Sequence, residues 1–343
     1  MLGGLLSASS AVAVGVIVIT TAVIWVGSGW LESSAEQLSA HYGLPPVVQG
    51  SIIVAVGSSF PELASVVFTA RAGVFDMGVG GIVGSAIFNI LIIPALAGLA
   101  ATGNLETNRE LVYKEAQFYM IAVATLLITF ALGVIYIPAP DTPPLVGQVT
   151  RPLALIPLLL YGLYLFIQWQ DVSEYTGAVE RSDAIGRQWA TLAGGLLLIL
   201  VGVEQLVAAV EFLTHTFGIP EFLAGVTIIA AVTSLPDTLV SVRAAREGRG
   251  LTSLGNVLGS NTFDLLVAIP IGVLLIGAVS INFAVAVPMF GVLTLATVLL
   301  FTFLRTDLSL TTIEAYALLV TYGLFVVWVL AETVGVINLV AAA

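Results

Sequence analysis

The chain has 343 residues, 59% of them hydrophobic and only 9% charged, with a formal net charge of −11 and a mean hydropathy of +1.09. Too little polar surface remains to face water, which excludes a soluble globule and places the chain in the bilayer. Cysteine is absent, which excludes disulfides and thiolate metal sites and leaves oxygen as the available ligand for a cation.

Taking roughly 20 apolar residues per span, hydropathy predicts an all-α polytopic membrane protein of ten transmembrane helices. They run near 8–40, 46–71, 78–101, 115–137, 151–169, 188–217, 220–246, 252–278, 283–304 and 311–333. The first has no basic leader and no small-residue cleavage site, so it reads as a retained span. The longest polar break, 170–187, divides five helices from five. Residues 1–169 then form one unit, 188–343 a second, and 170–187 a linker. With the N-terminus outside, the inner loops receive Arg109, Lys114, Arg181, Arg187, Arg243, Arg246, Arg249 and Arg305, while only Arg71 and Arg151 face outward. This positive-inside bias predicts a multi-pass protein of the cell membrane with both termini extracellular and the 170–187 loop cytoplasmic.

The two units repeat each other. A single constant offset aligns Gly43 with Gly218, Pro45 with Pro220, Ser59 with Ser234, Pro61 with Pro236, Gly73 with Gly248, Gly84 with Gly259, Ser85 with Ser260 and Phe88 with Phe263, without a gap. Five helices is an odd number, so the second copy enters the bilayer from the opposite side. Such inverted repeats, with helices broken by Gly and Pro, mark secondary transporters whose site lies at the midplane. Helices 2 and 7 are expected to break at Pro61 and Pro236, and helices 3 and 8 at Gly84 and Gly259.

Within these repeats Glu62 and Asp237 each follow a proline, and each is followed at the same interval by a second polar group, Asn89 or Asp264. An ionisable group at bilayer depth costs several kcal/mol, so three acids at matched positions are functional by default. Proline removes a backbone donor, and carbonyls freed near Ala55 and Ala230 must find a partner that lipid cannot supply. A cation is suitable. Ser58, Ser59, Ser85, Thr233, Ser234 and Ser260 add neutral oxygens, and a hard cation such as Ca²⁺ wants six to eight of them. The same hydroxyls also suit the plainer task of re-satisfying kinked backbone.

The segments Gly57-Ser58-Ser59-Phe60-Pro61-Glu62 through Asn89, and Thr233-Ser234-Leu235-Pro236-Asp237 through Asp264, resemble the two α-repeats of the cation/calcium exchanger superfamily. The likeness to the Na⁺/Ca²⁺ exchangers, including the K⁺-dependent branch, is greater than to the H⁺/Ca²⁺ exchangers. At motif level it covers residues 43–99 and 218–274. The resemblance implies Na⁺/Ca²⁺ antiport by alternating access, with Glu62 and Asp237 as the main Ca²⁺ carboxylates, joined by Ser58, Thr233 and the carbonyls of Ala55 and Ala230. It assigns Ser59, Ser85, Asn89, Ser234, Ser260 and Asp264 to flanking Na⁺ sites, and implies that long helices 1 and 6 slide across the core. The chain departs from the family pattern at Val232, where glycine is common, and at Ala86, where asparagine is common.

Three acids match three Na⁺, while one Ca²⁺ leaves a deficit of one that a proton on Asp264 or a bound K⁺ would meet, so K⁺-dependent exchange and H⁺/Ca²⁺ exchange stay open. A cation channel is the rival outside the class, but filters usually come from rings of identical subunits. No nucleophile and base pair points to an enzyme, no basic patch points to nucleic acid, and no resident cofactor or protein partner is implied. The expected partners are Ca²⁺, Na⁺ and the lipid bilayer, with a monomer as the working unit. Glu36 and Glu211 read as solvated helix ends, Glu204 as either a vestibule residue or an extra site, and His41 and His215 as interfacial residues.

Overall fold

The computed structural model describes residues 9–42, 55–140, 142–143, 145–172, 185–334 and 336–337. Helix α1 spans Ser10–His41, and α2 (Ala55–Ser58) and α3 (Phe60–Ala72) follow, then α4 (Phe75–Ala100). A π-helical turn at Leu111–Glu115 leads into α5 (Ala116–Tyr136), and α6 covers Arg151–Val172. In the second half come α7 (Ile185–Phe217), α8 (Glu221–Ala224), a π turn at Gly225–Ile229, α9 (Ala230–Thr233) and α10 (Leu235–Arg246). The rest is α11 (Gly250–Phe263), a π turn at Asp264–Ala268, α12 (Ile269–Ile276), α13 (Phe283–Arg305) and α14 (Thr312–Thr333).

Among the described residues eight helices are long and apolar enough to cross a membrane, and a ninth span is the pair Glu221–Thr233 and Leu235–Arg246, bent by 45°. These nine coincide with nine of the spans expected from hydropathy. For the other, 46–71, only the part from Ala55 onward is described; Gly43 and Pro45 of the repeat, and residues 173–184 of the linker, lie outside the described residues.

The interior is built on two spans. In α4 and in Gly250–Ile276, 78% of the most apolar window is buried, against 22% in α1, α6 and α14. The polypeptide here is too apolar for amphipathic sorting, so close approach decides which helix goes inside. Gly80 and Gly84, four apart on one face of α4, lie against Phe222 and Val226: a methyl on Gly84 would sit 2.6 Å from Val226 Cα and 2.8 Å from Ala230 Cβ. This is the small-residue packing that lets helix backbones touch in lipid. The same device joins the two longest helices, α1 and α7, of 32 and 33 residues. A methyl on Gly27 would lie 3.0 Å from the Gly195 carbonyl, and one on Gly195 2.7 Å from that of Gly27.

The breaks fall slightly earlier in the chain than the prolines suggest. Ser59 (φ −87°, ψ 5°) and Ser234 (φ −78°, ψ −3°) interrupt the two repeat-related spans, each two residues before Pro61 or Pro236. Proline then occupies the first turn of the following helix, where its missing N–H costs nothing. The segments after the breaks end alike: α3 is closed by Gly73 at φ +85°, and α10 is followed two residues on by Gly248 at φ +74°. Both need the left-handed region, which explains why glycine stands at these repeat-matched positions.

The expected breaks at Gly84 and Gly259 are absent. Helix α4 is continuous from Phe75 to Ala100, and α11 from Gly250 to Phe263. At Gly84 the glycine serves close approach, which in sequence has the same signature as a break. Span 8 instead widens into the π turn that begins at Asp264. The fold is also not purely helical. Two short antiparallel ribbons join the halves: β1 (Leu105–Glu106) with β4 (Ser309–Leu310), and β2 (Val146–Thr150) with β3 (Ala278–Asn282). They lie at opposite ends of α5, and each pairs a connector of the first half with a connector of the second.

At the turn between α10 and α11, Glu247 accepts from Arg243 Nε and Arg249 Nε, both at 3.2 Å, and the hydrogen bonds from Arg249 and then Arg243 hold its carboxyl below the usual carboxylate range. Helix α14 begins with a capping box, Glu314 N–H donating to Thr311 Oγ1 at 3.3 Å and Thr311 N–H to Glu314 Oε2 at 2.8 Å.

Gly84→Ala is expected to destabilise the protein by about 1–3 kcal/mol, because the added methyl meets backbone that cannot yield. Gly255→Ala, whose methyl would meet only Leu111 Cδ1 at 3.9 Å, should be neutral or stabilising in the same detergent unfolding measurement.

Candidate cation site

Residues on both sides of the two breaks and on the interior spans converge on a buried polar cluster. Ser58, Ser59, Glu62, Ser85, Asn89, Thr233, Ser234, Asp237, Ser260 and Asp264 are all at most 1% exposed. Glu62 sits in the first turn of α3 and Asp237 in the first turn of α10. The positive end of each helix dipole therefore points at its own carboxylate.

Asp237 is the better solvated acid. Its Oδ1 accepts from Ser260 Oγ at 3.0 Å and from Asn256 Nδ2 at 3.4 Å, and its Oδ2 accepts from Asn89 Nδ2 at 3.0 Å. Glu62 has less: Ser85 Oγ donates to its Oε1 at 3.3 Å, while its Oε2 has no hydrogen-bond partner among the described residues. Both oxygens of Asp264, Asn89 Oδ1 and Ser59 Oγ are likewise buried without a hydrogen bond among the described residues. The charges that reach Glu62 are those of Asp264 and Asp237, so the acids repel one another instead of resting on a fixed base.

The halves are joined through hydroxyls and amides. Ser85 Oγ and Ser234 Oγ are 2.7 Å apart, and Ser58 Oγ and Ser260 Oγ 3.2 Å. The repeat symmetry is chemical as well: the Ser85 to Glu62 bond maps on Ser260 to Asp237. It fails where Asn256 and Asn261 map on Gly81 and Ala86, and where Asn89 maps on Asp264. Asn89 donates to Asp237, whereas its repeat mate Asp264 presents a second negative charge to Glu62. Among the described residues no three acid or histidine side chains form a single ligand cluster.

Two expectations change in detail. The Ala230 carbonyl is not freed by proline, since it accepts from Ser234 N–H at 3.1 Å. By register Pro236 deprives Val232 of its donor. A second lone pair on Ala230 is still available to a cation, and Ala55 opens α2 at the edge of the described residues. Thr233 Oγ1 donates back to Ile229 at 3.1 Å, which leaves its lone pairs turned outward.

Sequence reasoning missed Asn256, Asn261, Ser241 and Tyr119. Asn256 holds Asp237 and also donates to Ser241 Oγ at 3.2 Å; Asn261 accepts from Asn89 at 3.0 Å and donates to the Ala86 carbonyl at 3.2 Å and to Tyr119 Oη at 3.3 Å. A signal existed: Asn256 lies one turn before Ser260, hence on the same face of α11, and an amide in an apolar span is as costly as a hydroxyl. Glu204 and Glu36 are exposed, and Glu211 lies 4.0 Å from His215 at its helix end.

A buried cluster of carboxylates, hydroxyls and amides without a fixed counter-charge among the described residues is chemically suited to a mobile cation, the setting found in membrane transporters. The chain belongs to the sodium/calcium exchanger protein family, whose model matches residues 12–170 and 187–331. Among its relatives, an uncharacterized membrane protein of Methanocaldococcus jannaschii is 25% identical over 278 residues, covering 80% of this chain and 85% of that one. Sodium/calcium exchanger MaX1 of Methanosarcina acetivorans is 24% identical over 282 residues, covering 70% and 76%. Human sodium/potassium/calcium exchanger 5 is 27% identical over 337 residues, covering 68% and 64%. The fold matches that of the sodium-calcium exchanger NCX_Mj with a TM-score of 0.63 at 21% identity, over 92% of this chain and 98% of that one.

Asn89→Asp should lower the melting temperature in cation-free buffer, because it sets a second carboxylate against Asp237. The melting temperature of this variant should then rise more steeply with added Ca²⁺ than that of the wild type, as expected when the ligand binds only the folded state.

Proposed function

We propose that the chain is an antiporter that exchanges Na⁺ for Ca²⁺ by alternating access, built as ten spans in two inverted five-helix repeats. One observation carries this reading: acids from opposite halves, each next to a repeat-matched break, are buried together, and hydroxyls of the two halves meet beside each of them, Ser85 with Ser234 at Glu62 and Ser58 with Ser260 at Asp237. The sodium/calcium exchanger relatives support the choice of ions.

In this reading Ca²⁺ binds between Glu62 and Asp237, with Ser58, Thr233 and the carbonyls of Ala55 and Ala230 completing its shell. The Na⁺ positions flank it, drawing on Ser59, Ser85, Asn89, Ser234, Ser260 and Asp264. The unpartnered oxygens of Glu62, Asp264, Asn89 and Ser59 are the natural first ligands, since unsatisfied buried oxygens gain most from a cation. Two Na⁺ positions are unequal: the one at Asp264 has a charge where the one at Asn89 has a dipole. Na⁺ should bind more tightly beside Asp264.

Charge sets the coupling. A water-poor site crosses the bilayer readily only when its charge is nearly matched. Three Na⁺ balance Glu62, Asp237 and Asp264, and Ca²⁺ does so with one further positive charge, a proton on Asp264 or K⁺. The long pair α1 and α7, each about 50 Å at 1.5 Å per residue, lies tilted and opens the cluster to one side or the other. Loop arginines put the termini outside and 170–187 in the cytoplasm. One chain supplies every ligand, so a monomer suffices.

Vesicles loaded with Na⁺ should take up ⁴⁵Ca²⁺ down an outward Na⁺ gradient, and choline in place of Na⁺ should abolish the uptake; uptake indifferent to Na⁺ rejects the reading. Glu62→Gln and Asp237→Asn should each lower Ca²⁺ affinity by more than the roughly 10–100-fold that loss of an outer-shell partner costs. Asp264→Asn should remove dependence of transport on K⁺ and on pH while some Ca²⁺ transport persists; unchanged dependence on both would overturn its assigned role.

A further inference from the structure

Helix α1 holds buried oxygens that the central cluster does not use. Four other hydroxyls within it bond back to their own helix, Thr20 and Thr21 to Ile17 at 3.0 and 2.6 Å, Ser34 to Trp30 at 2.6 Å and Ser39 to Ala35 at 2.7 Å. That is the ordinary resting place of a hydroxyl in an apolar helix. Ser28 departs from it. It is 1% exposed, and its Oγ makes no hydrogen bond among the described residues. One turn further on, Glu32 Oε1 is also buried without a hydrogen bond among the described residues, and residues four apart lie on one helix face.

That face looks toward the cluster. Helix α1 packs against α2, α9 and α10 as well as α7, and the charge of Asp237 acts on Glu32 more strongly than that of Glu36, its neighbour one turn along the same helix. Glu32, half-buried as a whole with Oε1 fully covered, is thus a further carboxylate near the cluster, carried on α1 and not on the helices that hold the other three. The position has no copy in the second repeat, where the offset that superposes the repeats leads from Ser28 and Glu32 to Val203 and Val207.

We propose that Ser28 and Glu32, with Asp237 across the boundary between α1 and α10, form a further cation position that takes a monovalent hard cation of the size of Na⁺. The proposal rests on the exchange reading and extends it. The like charges of Glu32 and Asp237 act on each other across the α1–α10 contact, and a cation between them replaces that repulsion with two attractions. One hydroxyl and two carboxylates are too few oxygens for Ca²⁺, which wants six to eight, and leave Na⁺ as the better occupant. Because one ligand pair rides on α1 and the other ligand on α10, occupancy draws α1 over Asp237. Na⁺ bound there favours the covered arrangement of the cluster. The valines of α7 supply nothing equivalent, so the effect belongs to one face of the transporter.

The test is Na⁺ competition against ⁴⁵Ca²⁺ bound to the purified full chain, read as the ratio of half-saturating Na⁺ to half-saturating Ca²⁺. In Glu32→Gln this ratio should increase about tenfold, the equivalent of 1.4 kcal/mol. Glu32→Asp should recover most of it, and Ser28→Ala should shift it in the same direction by less. A wild-type ratio in Glu32→Gln overturns the proposal while leaving the exchange reading intact. Wild-type protein in which Na⁺ does not compete with Ca²⁺ overturns both. Should Glu32→Gln fail to run as a single species in gel filtration, Ser28→Ala decides by the same ratio, and an unshifted value there counts as refutation.

Discussion

Negative charge without a fixed partner, buried at lipid depth, is the constraint on which the rest of this molecule depends. Glu62, Asp237 and Asp264 are at most 1% exposed, and the groups around them are hydroxyls, amides and one another. Such groups are costly inside an apolar span and mark ion pathways or proton relays. Almost every unusual feature of the backbone bears on these groups. The two breaks turn helix N-termini toward Glu62 and Asp237, and the π turn at Asp264 adds a residue to the helix where a third acid must face inward. The glycines of α4 bring the second repeat close enough for Ser85 to meet Ser234.

The symmetry of the repeats is kept in backbone and broken in chemistry. Breaks, prolines, closing glycines and paired serines all correspond under one unchanging offset. Asn89 and Asp264 do not. A strictly symmetric site would carry four acids or two, and the asparagine sets the count at three. It does more than dilute charge, since its amide donates to both Asp237 and Asn261, tying the well-solvated acid to the interior helices and leaving Glu62 the less satisfied.

Much of this was legible from residue order. The spans coincide with the hydropathy reading within a few residues because lipid forbids an unpaired backbone, so apolar length and helix length become the same quantity. Glu62, Asp237 and Asp264 stood out for the matching reason, that charge in an apolar run needs a cause. Other features were hidden by degeneracy. Glycine at 84 marks close approach, yet in sequence it reads as a break. The ribbons involve too few residues to show a period. Asn256 and Glu32 have no counterpart in the other repeat, so a search by internal likeness passed over them, although Glu32 lies only four residues from Glu36, which was noticed because it does have one.

The two small ribbons have a mechanical meaning. Leu105 pairs with Leu310 at one end of the bundle, and residues 146–150 pair with 278–282 at the other, so the first and second repeats are stitched together top and bottom. A scheme in which one repeat rocks against the other would have to unzip these seams on every cycle. Under the proposed exchange the stitched part would serve as a rigid chassis, and the long α1 and α7, fastened chiefly to each other through Gly27 and Gly195, as the shutter that runs along it.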